Sequence, residues 1–182
     1  DSRCRLVLLA PNRRAYGQIS SLISKLRKRS NKGSYYLTQQ DLQVGLSECL
    51  GIWICEGQGV EQLSAIGAHL QSLIPRLWIG LGLFHDGQDL HKTASALTLS
   101  TALKLPIVAV NDVHTHCPDR QGLQNIVSAI RLKTDIHSLG YRGFCNAERT
   151  LRSITTLQQL YPDEMLAQTM VIADLCQFDM DE

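Results

Sequence analysis

The chain has 182 residues, of which 44% are apolar and 19% charged, so it can build a large core and is not a disordered polymer. Aromatic residues make up only 5%, which leaves the core to Leu, Ile, Val and Ala. No apolar run approaches the roughly 18 to 20 residues of a membrane span, and Asp1-Ser2-Arg3-Cys4 leads straight into a short apolar segment without the pattern of a secretory leader. The expectation is a soluble cytoplasmic protein of one domain, two at most.

A net charge of +1 conceals a strong asymmetry. Residues 1–32 carry nine of the 18 basic side chains (Arg3, Arg5, Arg13, Arg14, Lys25, Arg27, Lys28, Arg29 and Lys32) against Asp1 alone. The stretch 162–182 carries six acids and no Lys or Arg. Such a dipole fits either a basic face for phosphate or an acidic partner, or a plain solvated helix face. The six cysteines have no zinc-like spacing. Cys49, Cys55 and Cys176 lie in apolar stretches and read as small buried hydrophobes in a reducing compartment.

Along the chain a short apolar run alternates with a helical one. Leu6–Ala10, stopped by Pro11-Asn12, reads as a buried strand. Tyr16, Ile19, Leu22, Ile23 and Leu26 recur at helical spacing, and Arg27-Lys28-Arg29 suits the negative end of that helix. Thr38 caps a short helix beginning at Gln39. Three further pairs follow: a strand at 51–55 with a helix at 60–72, a strand at 77–84 with a helix at 89–103, and a strand at 107–110 with a helix near 121–133. Four strand–helix units in series predict parallel strands with right-handed crossovers. Residues 137–146 read as irregular, and helices are expected over 150–160 and 163–176, with Pro162 opening the second. The fold class is α/β. Four units are half of an eight-stranded barrel or the makings of an open four-stranded sheet, and nothing marks a closed, self-sufficient barrel. The expected division is a strand–helix portion over 1–133, which the resemblance described below makes a partial βα barrel, followed by a helical extension over 134–182.

In parallel α/β folds functional groups gather just past the C-terminal ends of strands. Asp112, His114 and His116 follow the fourth strand, and extended backbone would put all three on one side. Carboxylate beside imidazole suits a divalent metal (zinc, manganese or iron) able to activate water for phosphoester hydrolysis. The alternative is a strand-end loop with Asp112 capping backbone and the histidines in solvent. His85 after the third strand is a weaker ligand candidate, and Glu56 has similar standing. His69, His91 and His137 read as core or surface. Nucleophile elbows and glycine-rich phosphate loops are lacking.

Several stretches also resemble a known family. Leu6–Ala10 with Asn12 and Tyr16-Gly17, the run Leu105–His114, and the helix Leu123–Arg131 are similar to the polymerase-and-histidinol-phosphatase (PHP) domain of bacterial C-family DNA polymerases, the polymerase III alpha-subunit type. Tyr141-Arg142, Asn146–Arg149, Leu151–Ser153, Leu160–Pro162 and Ala167–Phe178 resemble the error-prone (translesion) branch, so the likeness runs nearly the whole chain in order. It implies a distorted seven-stranded βα barrel, with the first metal motifs preceding this stretch. The resemblance implies that Asp112 and His114 match family ligands, with His116 adjacent, whereas Arg5 or a close neighbour, Gly80 or Gly82, and a position near Gln58 stand where the family has a His, an acid and a Cys. Loss of those groups removes charge and lone pairs that a cation needs, so the resemblance implies no metal or partial occupancy.

The expected function is therefore a scaffold or docking segment of a DNA polymerase for replication or lesion bypass, without the family's polymerase carboxylates. Expected partners are the rest of such a polymerase and DNA through it, with replication or repair proteins, and a second copy of the chain as one cover for the open barrel edge. A residual metal-dependent phosphoesterase or 3′–5′ exonuclease is the alternative. In it Arg13, Arg14, Lys25, Arg27, Lys28 and Arg29 hold a nucleic-acid backbone. A stand-alone protein-interaction module is the third reading.

Overall fold

A computed structural model describes residues 4–43, 45–55, 59–179 and 181. Among these, strands β1 (Arg5–Leu9), β2 (Leu50–Ile54), β3 (Arg76–Leu81) and β4 (Ile107–Ala109) form one sheet in the order β1-β2-β3-β4. The helices are α1 (Arg13–Arg29), α2 (Gln39–Leu42), α3 (Val60–Leu73), α4 (Asp89–Leu103), α5 (Gln121–Leu132), α6 (Ile154–Leu160) and α7 (Asp163–Leu175). The expected strand–helix series is present, in a mixed rather than an all-parallel sheet.

The correction concerns β1. Strands β2, β3 and β4 are parallel, but β1 pairs antiparallel with β2, from Arg5 opposite Ile54 to Leu9 opposite Leu50. The connection explains it. Helix α1 runs back beside β1, and residues 38–48 then descend along α1, with Asp41 bonded to Arg29 and the Glu48 amide bonded to Gln18. Two traverses return the chain to the end where β1 stopped, so β2 must run the other way. Arg5, at the start of β1, consequently lies at the C-terminal end of the other three strands.

Alternation along the strands makes two apolar faces. Leu6, Leu8, Trp53, Leu77, Ile79, Leu81 and Ile107 face the main core under α1, α3 and α4. Gly67 lets α3 approach, because a Cβ there would lie 2.6 Å from the Trp53 ring and 2.4 Å from Leu103. On the opposite face Leu50, Trp78 and Val108 pack with Ile172 of α7, and the Trp78 indole N–H donates to Gln168 at 2.9 Å. One helix thus covers a second face that a lone layer of helices would leave wet.

Caps and ends follow local chemistry. The Asn12 side chain accepts from the Ala15 amide at 2.9 Å and starts α1. Ser153 caps α6 the same way, so that helix begins later than the expected 150. Pro162 occupies the N-cap of α7. Cys49 is buried and Cys55 half-buried as expected, but Cys176 is exposed because it lies just past the end of α7. No helix among the described residues is long and apolar enough to cross a membrane.

Candidate functional site

The C-terminal ends of β2, β3 and β4 are closed by a lattice of charged side chains built largely by residues 144–152. The backbone there is stitched to the end of β4. The His114 amide donates to the Arg149 carbonyl at 2.8 Å, the Leu151 amide donates to Thr115, and Asn111 donates to the Thr150 carbonyl. It is stitched to the end of β3 as well. Asn146 donates to the carbonyls of Phe84 and His85, and Arg152 donates to the Leu83 carbonyl at 2.9 Å. Tyr161, buried against the core, accepts from the Leu83 amide and donates to the Val110 carbonyl, and its burial raises the phenol pKa.

Asp112 sits at the centre of this end. Its Oδ2 accepts from Arg5 at 3.0 Å and from Arg149, and its Oδ1 lies 3.7 Å from Nε2 of His114. The Arg149 guanidinium lies between two rings, 4.0 Å over Phe84 and 4.6 Å over Phe144. His114 in turn packs on Phe144 with centroids 4.6 Å apart. Around the rim Arg152 pairs with Glu148 at 2.8 Å, His85 Nδ1 lies 3.4 Å from the same carboxylate, and Lys92 pairs with Asp86 at 2.6 Å. Burial pushes the Asp86 carboxyl up, but the Lys92 and Gln88 hydrogen bonds and nearby cations outweigh it and hold it below the ordinary range. Asp89 closes the turn by accepting from the amides of Phe84 and His85.

The expected metal candidates are thus separated. Asp112 and His114 come together, but among the described residues no three His, Cys, Asp or Glu side chains converge as a metal would require. The reason is backbone conformation. Asp112 is left-handed (φ 41°), which breaks the extended alternation that would align it with His114 and His116. Thr115 then bridges to Thr150, and His116 points to solvent. His85 is also left-handed (φ 50°) and faces Glu148. Glu56 and Gln58 lie outside the described residues.

The donor set does not fit a resident divalent cation. A metal at Asp112 would have to displace two guanidinium groups or sit beside them, against their charge. Arg5 and Gly80, on the facing strands β1 and β3, offer a metal no ligand group. A Cβ at Gly80 would lie 2.9 Å from Ile52 Cγ2, and one at Gly82 would lie 2.7 Å from the Phe84 ring, so the strand ends are packed where a longer side chain would need room. The cavity between Arg5, Ile54, Gly80, Gly82, Val110 and Asp112 amounts to about 20 Å³, space for one water. What this arrangement can do is hold the 144–152 segment across the end of the sheet with fixed charges.

The basic candidates form a separate group on α1. Arg14 and Lys25 line a 570 Å³ groove between α1 and residues 41–48. Arg29 donates twice to Asp41, at 2.9 and 2.8 Å, and Lys25 reaches the same carboxylate at 3.2 Å. The Arg29 bonds, those of Thr38, and Lys25 hold the Asp41 carboxyl well below the usual range against the opposing effect of burial. Arg27 lies 5.8 Å over the Tyr35 ring, while Arg13 and Lys28 are exposed. Sequence reasoning missed Arg149, Glu148, Arg152 and Lys92 as site residues, and Tyr35 and Tyr36 beside the basic cluster. The run Tyr35-Tyr36 within an acid-free stretch was the one available signal for the latter.

No family model matches the chain. Curated relatives named "Error-prone DNA polymerase" do. The one from Methylococcus capsulatus (strain ATCC 33009 / NCIMB 11132 / Bath) is 41% identical over 180 residues, covering 98% of this chain and 17% of the relative. That from Dechloromonas aromatica (strain RCB) is 40% identical over 184 residues, covering 98% and 18% respectively. That from Pseudomonas paraeruginosa (strain DSM 24068 / PA7) is 38% identical over 178 residues, covering 98% and 17%. The chain is therefore similar along almost its whole length to one segment of proteins bearing that name, and it spans 17 or 18% of their length.

Proposed function

We propose that the chain is a PHP-type segment, a partial βα barrel, of an error-prone DNA polymerase-like protein, and that it acts as a scaffold and docking element rather than as a hydrolytic centre. The observation that carries this reading is the Asp112 carboxylate bound by Arg5 and Arg149 at the sheet end where catalytic ligands of an α/β fold would stand. Arginines take the place of a cation, and charge is spent on holding the chain together. The similarity to polymerases roughly six times longer supports the rest of such a polymerase, and DNA through it, as the partners.

The docking half of the reading is supported by α5. Its apolar residues Leu123, Ile126, Val127 and Ile130 recur at helical spacing and all face solvent, Ile130 at 72% exposure, while Ser128 and Ala129 face inward. A stripe of that kind on an exposed helix marks a surface meant to be covered.

The deciding experiment measures metal in protein purified without chelator, beside the Asp112→Ala/His114→Ala variant, with a 3′–5′ exonuclease assay on both. The expected result is sub-stoichiometric metal in both and no hydrolysis from either. Stoichiometric zinc, manganese or iron that disappears in the variant would sink the scaffold reading and install the exonuclease.

A further inference from the structure

We propose that the C-terminal turn of α1 and the 31–37 loop form a binding track for single-stranded DNA, with Tyr35 and Tyr36 as stacking platforms for unpaired bases. The inference rests on the reading above only in choosing DNA over RNA. Its other grounds lie on α1 and the loop, away from the Asp112 cluster.

The first ground is charge. Residues 2–40 contain no Asp or Glu, so α1 and the loop carry only cations. The nearest acid, Asp41, does not offset them at the surface: it is 3% exposed and its oxygens are occupied by Arg29, Lys25 and Thr38. Lys28, Lys32 and Arg14 form no ion pair among the described residues, and Arg27 is engaged with the Tyr35 ring. Their positive charge suits a phosphate backbone.

The second ground is the aromatic pair. Tyr35 and Tyr36 are adjacent and 49% and 55% exposed, so both rings are open to a ligand. Tyr36 is also held in place. Arg29 donates to the Tyr36 carbonyl at 2.8 Å and lies 4.4 Å over its ring, and Asp41 clamps Arg29 from the other side. One face of the Tyr36 ring is backed by a guanidinium and the rest is open. A rigid ring backed by a cation, beside free ammonium groups, is the combination that stacks an unpaired base and neutralises its phosphate. A duplex keeps its base faces stacked inside and cannot use such rings.

The third ground is a path. Arg14, Gln18, Ser21 and Lys25 share one face of α1 and floor the 570 Å³ groove, where Gly17 leaves open space with no atom within 4 Å of a would-be Cβ. Asp41, at one end of the groove, bonds Arg29, and Arg29 in turn holds Tyr36, so the groove and the tyrosine loop share one ion-pair junction. From Arg14 to Lys25 is about 16 Å along the helix. Glu48, on the opposite wall, is the acid of this groove, and Asn12 donates to it at 3.4 Å.

The test is fluorescence anisotropy of the full 182-residue chain with a labelled 20-nucleotide oligo(dT), against the same length of duplex and of oligo(U). The expected binding to oligo(dT) weakens with salt, with a log–log slope of about −2 to −3. The Tyr35→Ala/Tyr36→Ala variant, with unchanged far-UV circular dichroism, loses about tenfold or more. Tyr35→Phe/Tyr36→Phe restores it, and Lys28→Glu/Lys32→Glu abolishes it. The proposal fails if the alanine variant binds like the parent, or if duplex is bound as tightly as oligo(dT). It fails equally if oligo(U) is preferred, or if anionic phosphatidylserine vesicles bind while oligo(dT) does not. Asp112→Ala leaves the binding intact, so a metal found at Asp112 would overturn the scaffold reading without touching this one.

Discussion

Asp112 shows how one residue's role is set by its neighbours. The sequence singles it out correctly as the acid past the fourth strand, and nothing local reveals that its charge is already taken. Arg5 lies 107 positions away and Arg149 lies 37. The two bonds differ in weight. Arg149 is largely buried between Phe84 and Phe144, so its loss strips a charge-assisted hydrogen bond and two ring contacts, whereas Arg5 is half-exposed and screened. Arg149→Met should lower stability by about 1–3 kcal/mol in urea unfolding. Arg5→Ala should stay within about 1 kcal/mol of the parent. Equal effects from the two would contradict this weighting. Gly80 belongs at the same scale. Placing an acid there as Gly80→Asp pushes its Cβ against Ile52, with an expected cost of about 1–3 kcal/mol in the same assay.

At the scale of elements, apolar periodicity located the strands and helices closely, because period and caps are written in neighbouring residues. It did not reveal the direction of β1, which depends on how often the chain crosses the sheet before β2. Nor did it say which way α5 faces. A stripe at positions 123, 126, 127 and 130 reads as a buried face, yet the helix turns Ser128 and Ala129 inward. The α1–α2 junction gives a pH prediction. The Asp41 carboxyl lies lower in the folded chain than the ordinary value near 3.9. Its contribution is therefore complete above that value and is lost as the pH falls toward the folded value. Thermal melts from pH 7 to pH 2 should show Asp41→Asn less stable than the parent at pH 7, with the gap closing below about pH 4. A gap that persisted unchanged at pH 2 would disprove the ion-pair account.

For the molecule as a whole, α7 packs on the second sheet face and the α5 stripe remains open. An exposed aliphatic strip should make the isolated chain associate as its concentration rises. Sedimentation velocity on Val127→Lys/Ile130→Glu should show a monomer with unchanged melting, since exposed positions away from packed contacts tolerate charge. A parent chain that stays monomeric at high concentration would argue against the open strip as a contact surface. The basic face of α1 is a second surface, distinguished from the strip by the salt dependence of what it binds.

The linear order of residues was enough to establish an aliphatic α/β chain, its succession of strands and helices, the polarised charge and an acid at position 112, just past the fourth strand. Each of these is a local property, carried by composition, period and capping within a few residues. Folding in three dimensions added the antiparallel first strand, the two arginines on Asp112, the outward stripe of α5 and the tyrosines beside Arg27 and Arg29. Those depend on where distant segments come to rest. No short-range pattern encodes that a carboxylate will meet a guanidinium one hundred and seven positions away.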